Sequence, residues 1–169
     1  LIVNAGDIAI GRYPFAIYRW RILGEREDFS FQPVLLNNEL SSRILELLEI
    51  AQNSIGNIDL VSSSEEEQLE NKHYQNWVDS RAVHIERVQQ ESSVRLASLK
   101  TSYLARNALL EDQLNEATDE RIKRMRGGQI ASALSDYERR KGMFEEASKK
   151  ADIISECVVH GVLSIENNA

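Results

Sequence analysis

The central stretch of this chain, residues 65–157, contains no proline, and its only glycines are Gly127, Gly128 and Gly142. Within it, apolar residues recur at the spacing of a helical face. They are Leu69, Trp77, Ile85, Val88, Leu96, Leu99, Tyr103, Leu110, Leu114 and Ala117. Charged and amide residues fill most of the positions between them, a pattern that predicts two long amphipathic helices rather than strands. Each large side chain of these stripes would lose about 1.5–3 kcal/mol if it stayed exposed, so the helices are expected to pack against each other.

Two positions can reverse the chain between these helices. The first is residues 115–119, where Thr118 can cap a new helix that has acids in its first turn. The second is the pair Gly127–Gly128, because each glycine costs about 1 kcal/mol inside a helix. In both cases the turn is short, so the two helices are expected to run antiparallel. The returning helix carries a heptad repeat at Ile130, Tyr137, Phe144 and Ala151.

The first helix is too long to fit inside a compact body. From about residue 64 to residue 115 it would extend on the order of 75 Å, so part of it is expected to project as an arm. We predict a small α/β base at residues 1–63, a helical coiled-coil hairpin at residues 64–157, and a returning strand and tail at residues 158–169. The predicted fold class is α+β, with a small antiparallel sheet, one packed helix and a long antiparallel two-helix coiled-coil arm.

The base is predicted to contain a β-hairpin. Apolar and polar residues partly alternate over Phe15–Ile22, a polar turn follows at residues 24–27, and a returning strand covers Phe29–Leu36. Pro33 has no amide hydrogen to donate, so the second strand is expected at an edge of the sheet or at a bulge. A shorter strand is predicted at Asp7–Ile10.

Three further elements complete this outline. Asn37 and Asn38 can cap a helix with an apolar stripe that ends at Ala51. A connector follows, in which Ile58, Leu60 and Val61 are a candidate strand. Serines at residues 62–64 followed by three glutamates predict the start of the first long helix, with a hydroxyl accepting from a free amide.

The sequence predicts no membrane partner. No segment reaches the roughly 18–20 consecutive apolar residues of a membrane span, and the first residues do not resemble a signal peptide. Cys157 is the only cysteine, which excludes an internal disulfide and suits the reducing cytoplasm. Because the chain opens with Leu1 rather than methionine, we expect it to be a piece of a longer protein.

Net charge is −7 over 169 residues, but the charge is unevenly distributed. Residues 121–150 carry nine Lys or Arg and four Asp or Glu, a local charge of +5, which leaves −12 for the rest of the chain. Such a basic limb on an acidic body is expected to attract a polyanion, whose phosphates it would contact without selecting a sequence. The predicted nucleic-acid-binding residues are Arg121, Lys123, Arg124, Arg126, Arg139, Arg140 and Lys141. The alternative interpretation is a solvated helix face.

The spacing of the other polar residues predicts no catalytic, cofactor or metal site. The sequence has no Gly-Lys-Ser/Thr phosphate loop, and no Ser-His-Asp or Cys-His set can be assigned from spacing. His73 and His84 are expected on the surface, since eleven residues separate them too widely to share a metal ion. His160 and Cys157 supply only two ligands, fewer than a zinc site needs, so a structural role is expected. The acids at residues 65–67 are expected to form a solvated helix face.

Several segments of the chain occur in the same order in a known family. They are the strand Pro14–Ile22 with Gly24, the strand through Pro33–Val34, the long helical arm, the run Thr118–Arg126, and the ending Ala151–Ile154 followed by Gly161–Leu163. In these features the chain resembles the C-terminal region of bacterial Swi/Snf-type ATPases, the RapA (HepA)-like, helicase-related proteins that include members of phage-defence systems. The resemblance extends over nearly all of the chain and consists of a helical pattern rather than of catalytic motifs.

This resemblance implies that an ATP-dependent motor, with its ATP and Mg²⁺, lies upstream in a parent protein. The present region would then be a non-catalytic accessory module that has no cofactor of its own and contacts the upstream ATPase domains and DNA or a protein partner. The resemblance also favours the reversal at residues 115–119, with Gly127–Gly128 as a kink or flexible joint. Two other hypotheses stay open: an arm for protein interaction or homodimerisation without nucleic-acid binding, and a free-standing enzyme. The enzyme is disfavoured because no acid, base and nucleophile converge in the sequence.

Overall fold

The computed structural model describes residues 1–4, 7–53 and 60–166. It combines a four-stranded sheet with a long antiparallel helix pair, which confirms the predicted α+β class. The chain divides into two compact units. The sheet unit comprises Leu1–Ile22, Asp28–Ala82 and Ile153–Ala169, and the helical unit comprises Leu23–Glu27 and Val83–Asp152. Among the described helices, none is long and apolar enough to cross a membrane.

The sheet is mixed rather than wholly antiparallel. Its strands are β1 (Ile2–Asn4), β2 (Gly11–Leu23), β3 (Asp28–Leu35) and β4 (Asp152–Glu166), in the order β1-β4-β2-β3. The predicted hairpin is formed by β2 and β3, which pair antiparallel from Phe15 opposite Leu35 to Ile22 opposite Asp28. As Pro33 requires, β3 lies at an edge. In contrast, β1 pairs parallel with β4, because the long chain between them permits a pairing that a short turn would forbid.

Residues 7–10 form a turn and bends, so the strand predicted there is wrong. Side chains hold this segment in place of a strand partner. The Arg43 guanidinium pairs with the Asp7 carboxylate at 2.6 Å, and the Tyr13 hydroxyl donates to the Ala9 carbonyl at 2.8 Å. A backbone held by these contacts does not extend into a ladder.

The helix predicted after Asn37 is shorter than expected. The Asn37 side chain accepts from the amides of Glu39 and Leu40, as a capping residue does, but the helical turns start later. They comprise a 3-10 turn at Ser41–Arg43 and the helix α1 (Ile44–Ile50). The candidate strand at residues 58–61 lies in part outside the described residues, and its described positions, 60 and 61, belong to no strand.

The two long helices are α2 (Ser63–Glu116) and α3 (Glu120–Lys150). Their antiparallel pairing brings the rings of Tyr103 and Tyr137 into a stack with centroids 4.5 Å apart. The chain reverses between residues 116 and 120, which confirms the first of the two alternatives. The cap is Asp119 rather than Thr118, since a carboxylate oxygen of Asp119 accepts from the Arg121 amide at 2.7 Å. A carboxylate at this position also interacts favourably with the positive end of the helix dipole.

The helix α3 continues through Gly127 and Gly128 without interruption and ends at Lys150. Since β4 begins at Asp152, the helix ends before the predicted boundary at Cys157, and the strand starts before residue 158. Residues 151–157 include the β-branched Ile153 and Ile154, which favour a strand.

Each face of β2 packs against its own core cluster. Phe15 belongs to a cluster that also contains Leu47 of α1 and Leu163 of β4. The next residue, Ala16, points the opposite way and belongs to a second cluster with Tyr18, Trp20, Leu69 and Ile153. The start of α2, which contributes Leu69, therefore packs on the same face of the sheet as Tyr18, while β4 contributes side chains to both clusters.

Candidate functional site

The seven predicted nucleic-acid-binding residues form two groups along α3. The first group, Arg121, Lys123, Arg124 and Arg126, lies in the first two turns. The second group, Arg139, Arg140 and Lys141, starts thirteen residues later, about 20 Å along the helix axis. The structure therefore places the predicted residues on one helix but does not bring the two groups together.

In the first group, Arg121 and Arg124 are exposed and form no ion pair within the described part of the chain. Lys123 pairs with Glu120 at 3.0 Å, and Arg126 donates to the Gln129 amide oxygen at 2.8 Å. Exposed pairs within one helix are worth only about 0.3–0.5 kcal/mol, so a phosphate can displace the Lys123 partner at little cost.

In the second group, Arg139 pairs with Asp136 at 2.6 Å and Lys141 with Glu145 at 3.7 Å. Arg140 differs from both, because it lines the groove between α3 and α2. This central position makes Arg140 the residue around which a candidate interface can be built.

The part of α2 beside Arg140 has an unusual composition. Residues 92–110, nineteen in all, contain no acid and three cations, Arg95, Lys100 and Arg106. The antiparallel pairing lays this stretch along the second group of α3, since the Arg95 guanidinium is 5.8 Å from the centre of the Phe144 ring. Cations of α2 and α3 therefore lie close together in the helical unit.

Two adjoining pockets lie along this contact between α2 and α3. One has a volume of about 580 Å³, and its lining includes Arg95, Ser98, Ser102 and Arg140. The other, of about 90 Å³, shares Ser102 and Arg140 and adds Arg106. We call these five residues the basic groove. Guanidinium groups and hydroxyls are suited to phosphate oxygens. The acids in the lining are Glu25, ion-paired with Arg95, in the larger pocket and Asp136 in the smaller one.

Sequence reasoning missed Arg95 and Arg106. They lie in the acidic remainder of the chain, where a count over long segments conceals them. The sequence signal for them was the acid-free stretch 92–110. It indicates a basic groove only when the antiparallel pairing that places this stretch beside the cations of α3 is also known.

The sheet unit contains a separate open pocket of about 340 Å³. Its lining residues come from α2, β2 and β4. They are Glu66, Glu70, His73, Tyr74 and Trp77 of α2, Tyr18 of β2, and Ser155, Cys157 and His160 of β4. The α2 residues lie on one helical face, as the spacing of four, seven, eight and eleven residues from Glu66 requires. We call this the aromatic pocket.

His73 is buried at the floor of the aromatic pocket, so its predicted surface position is wrong. Its ring stacks on Tyr18 with centroids 3.6 Å apart, and its Nε2 atom accepts from the Trp20 indole at 2.8 Å. The Ser155 hydroxyl lies 3.2 Å from the same nitrogen. Burial lowers the pKa of His73, in agreement with a neutral ring that accepts at Nε2.

His84, in the helical unit, is also buried rather than exposed. Its Nε2–H donates to the Leu23 carbonyl at 2.8 Å, and Arg87 donates to its Nδ1 at 3.3 Å. This histidine therefore ties the Leu23–Glu27 turn to α2 and has a structural role. The packing of both histidines against distant residues is what the spacing along α2 alone did not predict.

Cys157 and His160 make one further arrangement in the aromatic pocket. The Cys157 sulfur is 3.5 Å from His160 Nε2, and His160 Nδ1 is 3.7 Å from a Glu66 carboxylate oxygen. The order matches that of a thiol nucleophile, a base and an orienting acid. However, burial, followed by the negative charges of Glu70 and Glu66, raises the pKa of the Cys157 thiol above its ordinary value. A thiol held protonated is a poor nucleophile, so the arrangement does not support thiol catalysis.

No group of three or more His, Cys, Asp or Glu side chains is placed to hold a metal ion within the described ranges. No family model, curated protein or solved structure matches the chain. Its function is therefore inferred from the basic groove and from the other contacts of its own residues.

Proposed function

We propose that this chain is a non-catalytic accessory module that contacts DNA phosphates through the basic groove and the arginines of α3. The setting we propose is the C-terminal region of a cytoplasmic, Swi/Snf-type, helicase-related ATPase, as the resemblance implies. The observation that carries the DNA contact is the meeting of the acid-free stretch of α2 with Arg139, Arg140 and Lys141 of α3.

The charge of this meeting region supports the proposal. Six cations, Arg95, Lys100, Arg106, Arg139, Arg140 and Lys141, lie within about three turns of each helix. The acids of the same region are Asp136, Glu138 and Glu145 of α3, and Glu25, which pairs with Arg95. Cations on rigid helices contact phosphates without reading bases, so the expected binding is strongly salt-dependent and independent of sequence.

A salt titration of binding to a labelled duplex, measured by fluorescence anisotropy, tests the proposal. The variant Arg106→Gln/Arg140→Gln removes two cations of the basic groove and leaves the Arg95 pair intact. We expect weaker binding and a smaller salt slope, by about 0.9 for each phosphate that the variant no longer neutralises. The matched control Lys149→Gln/Lys150→Gln removes the same charge from the last turn of α3 and should retain most of the slope.

The first group is tested in the same way with Arg121→Gln/Lys123→Gln/Arg124→Gln/Arg126→Gln. If both this variant and the groove variant keep the affinity and the salt slope of the original chain, DNA binding by α3 is refuted. A duplex and a random-sequence competitor should displace each other equally, because phosphate contacts carry no sequence information.

A second candidate function, a protein-interaction or self-association arm, is favoured by apolar side chains left exposed on both long helices. In the helical unit these are Val83, Val94, Leu104, Leu109, Ile122, Met125, Leu134 and Met143. Sedimentation velocity over a wide concentration range distinguishes the two functions. A self-associating arm shifts to lower mass on dilution without DNA, whereas a DNA-binding monomer does not.

A further inference from the structure

The aromatic pocket of the sheet unit has three features that are independent of the basic groove: aromatic walls, acidic charge and rigid support. Its aromatic side chains are Tyr18, Tyr74 and Trp77. Its volume of about 340 Å³ lies within the range of roughly 300–1,000 Å³ typical of small-molecule sites.

Contacts with one another and with the backbone of the sheet unit hold the rings of the pocket in place. Tyr18 stacks on the buried His73 with an angle of 7° between the ring planes. Trp77 donates its indole N–H to the Ile153 carbonyl at 2.8 Å, and Tyr74 lies beside it with ring centroids 5.7 Å apart. Rings that are fixed before binding lose little conformational entropy when a ligand arrives.

The charged side chains that line the pocket are mainly acidic. Glu66 and Glu70 line it one helical turn apart, and among the residues that the structure describes its lining contains no Lys or Arg. Two acids at this spacing repel each other and destabilise a helix slightly. Of the two lining histidines, His73 accepts at Nε2 as a neutral ring does, and His160 Nδ1 lies 3.7 Å from Glu66, whose charge it balances only when protonated, so Glu70 is left without a cationic partner in the lining. The pocket therefore has unbalanced negative charge beside π faces, the combination that attracts a cation.

One ring of the pocket already contacts a cation of the chain itself. The Arg81 guanidinium lies 5.4 Å from the centre of the Trp77 ring, although Arg81 is not a lining residue. The half-buried Trp77 ring is thus oriented so that a cation can reach it.

We infer that the aromatic pocket binds an organic cation with an alkylated ammonium head, with Tyr18, Tyr74 and Trp77 around the head and Glu66 and Glu70 balancing its charge. Such a head occurs in small quaternary amines and in methylated lysine side chains, and both present the same chemistry. An anion is excluded by the two glutamates. A metal ion is disfavoured because the described acids and histidines do not converge as ligands.

The only cysteine of the chain provides a direct measure of occupancy, because Cys157 lines this pocket. The experiment follows its alkylation by N-ethylmaleimide, an uncharged reagent, by mass spectrometry while choline chloride is added. We expect choline to slow alkylation several-fold at saturation. The same concentration of 3,3-dimethylbutanol, which has the shape of choline without its charge, or of sodium chloride, should not slow it.

Variants assign the effect to the pocket. Glu66→Gln/Glu70→Gln should weaken the protection by choline at least tenfold, and Tyr74→Leu, at an exposed side chain, should also weaken it. The matched control Glu67→Gln changes a neighbouring exposed acid that does not line the pocket and should leave the protection unchanged. Circular dichroism of each variant checks that it is folded.

The source of the cation is settled by comparing choline with a short peptide that carries trimethyllysine and with the same peptide unmethylated. Tighter protection by the methylated peptide identifies a protein partner, and equal or tighter protection by choline identifies a small amine. The inference is overturned if choline gives no protection, if the neutral alcohol protects as well as choline, or if the Glu66→Gln/Glu70→Gln variant is protected like the original chain.

Discussion

Glu65 shows how a single side chain can fix the start of a long helix. Its carboxylate accepts from the Ser62 amide at 2.8 Å, and the Ser62 hydroxyl lies 3.4 Å from the Glu65 amide, which is a reciprocal capping box. The same carboxylate accepts from Arg12 of β2 at 3.1 Å. The hydrogen bonds from Arg12 and Ser62 lower the pKa of Glu65 to about 2.

The lowered pKa predicts how Glu65 affects stability against pH. Because the carboxylate is favoured in the folded state, its contribution is fully present above the ordinary value of 4.5 and is lost as the pH falls towards about 2. The free energy of unfolding of Glu65→Gln, measured in urea, should therefore lie below that of the original chain at pH 6 and approach it at the acid end.

Glu67→Gln is the control at this scale, because Glu67 is an exposed acid in the same helical turn as Glu65. A stability gap for Glu65→Gln that stays constant from pH 6 to the acid end would contradict the assigned role of the Arg12 pair. The capping box itself was predictable from Ser-x-x-Glu, which is a local pattern. The Arg12 contact was not, since 53 residues separate the two partners.

At the scale of elements, replacing a glycine by alanine is expected to have opposite effects on the free energy of unfolding in α3 and in β4. Among the described residues, and apart from the neighbouring backbone of α3, a Cβ atom added at Gly127 or Gly128 would meet no atom within 4 Å. Both residues lie inside a continuous helix, so Gly127→Ala and Gly128→Ala should each raise the free energy of unfolding by about 1 kcal/mol. Thermal unfolding followed by circular dichroism measures the effect.

Gly161 of β4 provides the contrasting case. A Cβ atom there would lie 2.6 Å from two carbons of the Phe15 ring, which is closer than real contacts allow. Gly161→Ala is therefore expected to destabilise the chain by about 1–3 kcal/mol through overpacking.

The opposite result in α3 would contradict the continuous helix. If Gly127→Ala and Gly128→Ala lower the free energy of unfolding, the helix is not continuous at Gly127, and the flexible joint that the sequence also allowed is supported.

The elements predicted correctly were those with local signals. The helix pair follows from the periodic pattern of apolar residues along the sequence. The hairpin follows from alternation and a polar turn. The parallel pairing of β1 with β4 was not predictable, because Ile2 and Ser164 come from opposite ends of the chain. The basic groove and the aromatic pocket were missed for the same reason, since each joins residues of different elements.

At the scale of the whole molecule, large buried side chains are unevenly distributed between the two units. Among the described residues, the six largest that are fully buried, Val3, Leu35, Leu47, Leu69, Leu163 and Ile165, all belong to the sheet unit. In α3 only Ala133 and Ala147 are buried among the described residues. A small buried side chain contributes far less to stability than a Leu or Ile, so local opening should cost less free energy in the helical unit.

Hydrogen exchange measured by mass spectrometry tests this difference in the intact chain. Amides of Glu120–Lys150 should exchange faster than those of residues 15–20 in β2, and the fastest should surround Gly127, where two glycines weaken the helix. The variant Gly127→Ala/Gly128→Ala should slow exchange in α3 and leave β2 unchanged, which separates helix propensity from global stability. If α3 instead exchanges as slowly as β2, contacts beyond those of its two buried alanines must stabilise the helical unit, as a self-associated arm would provide.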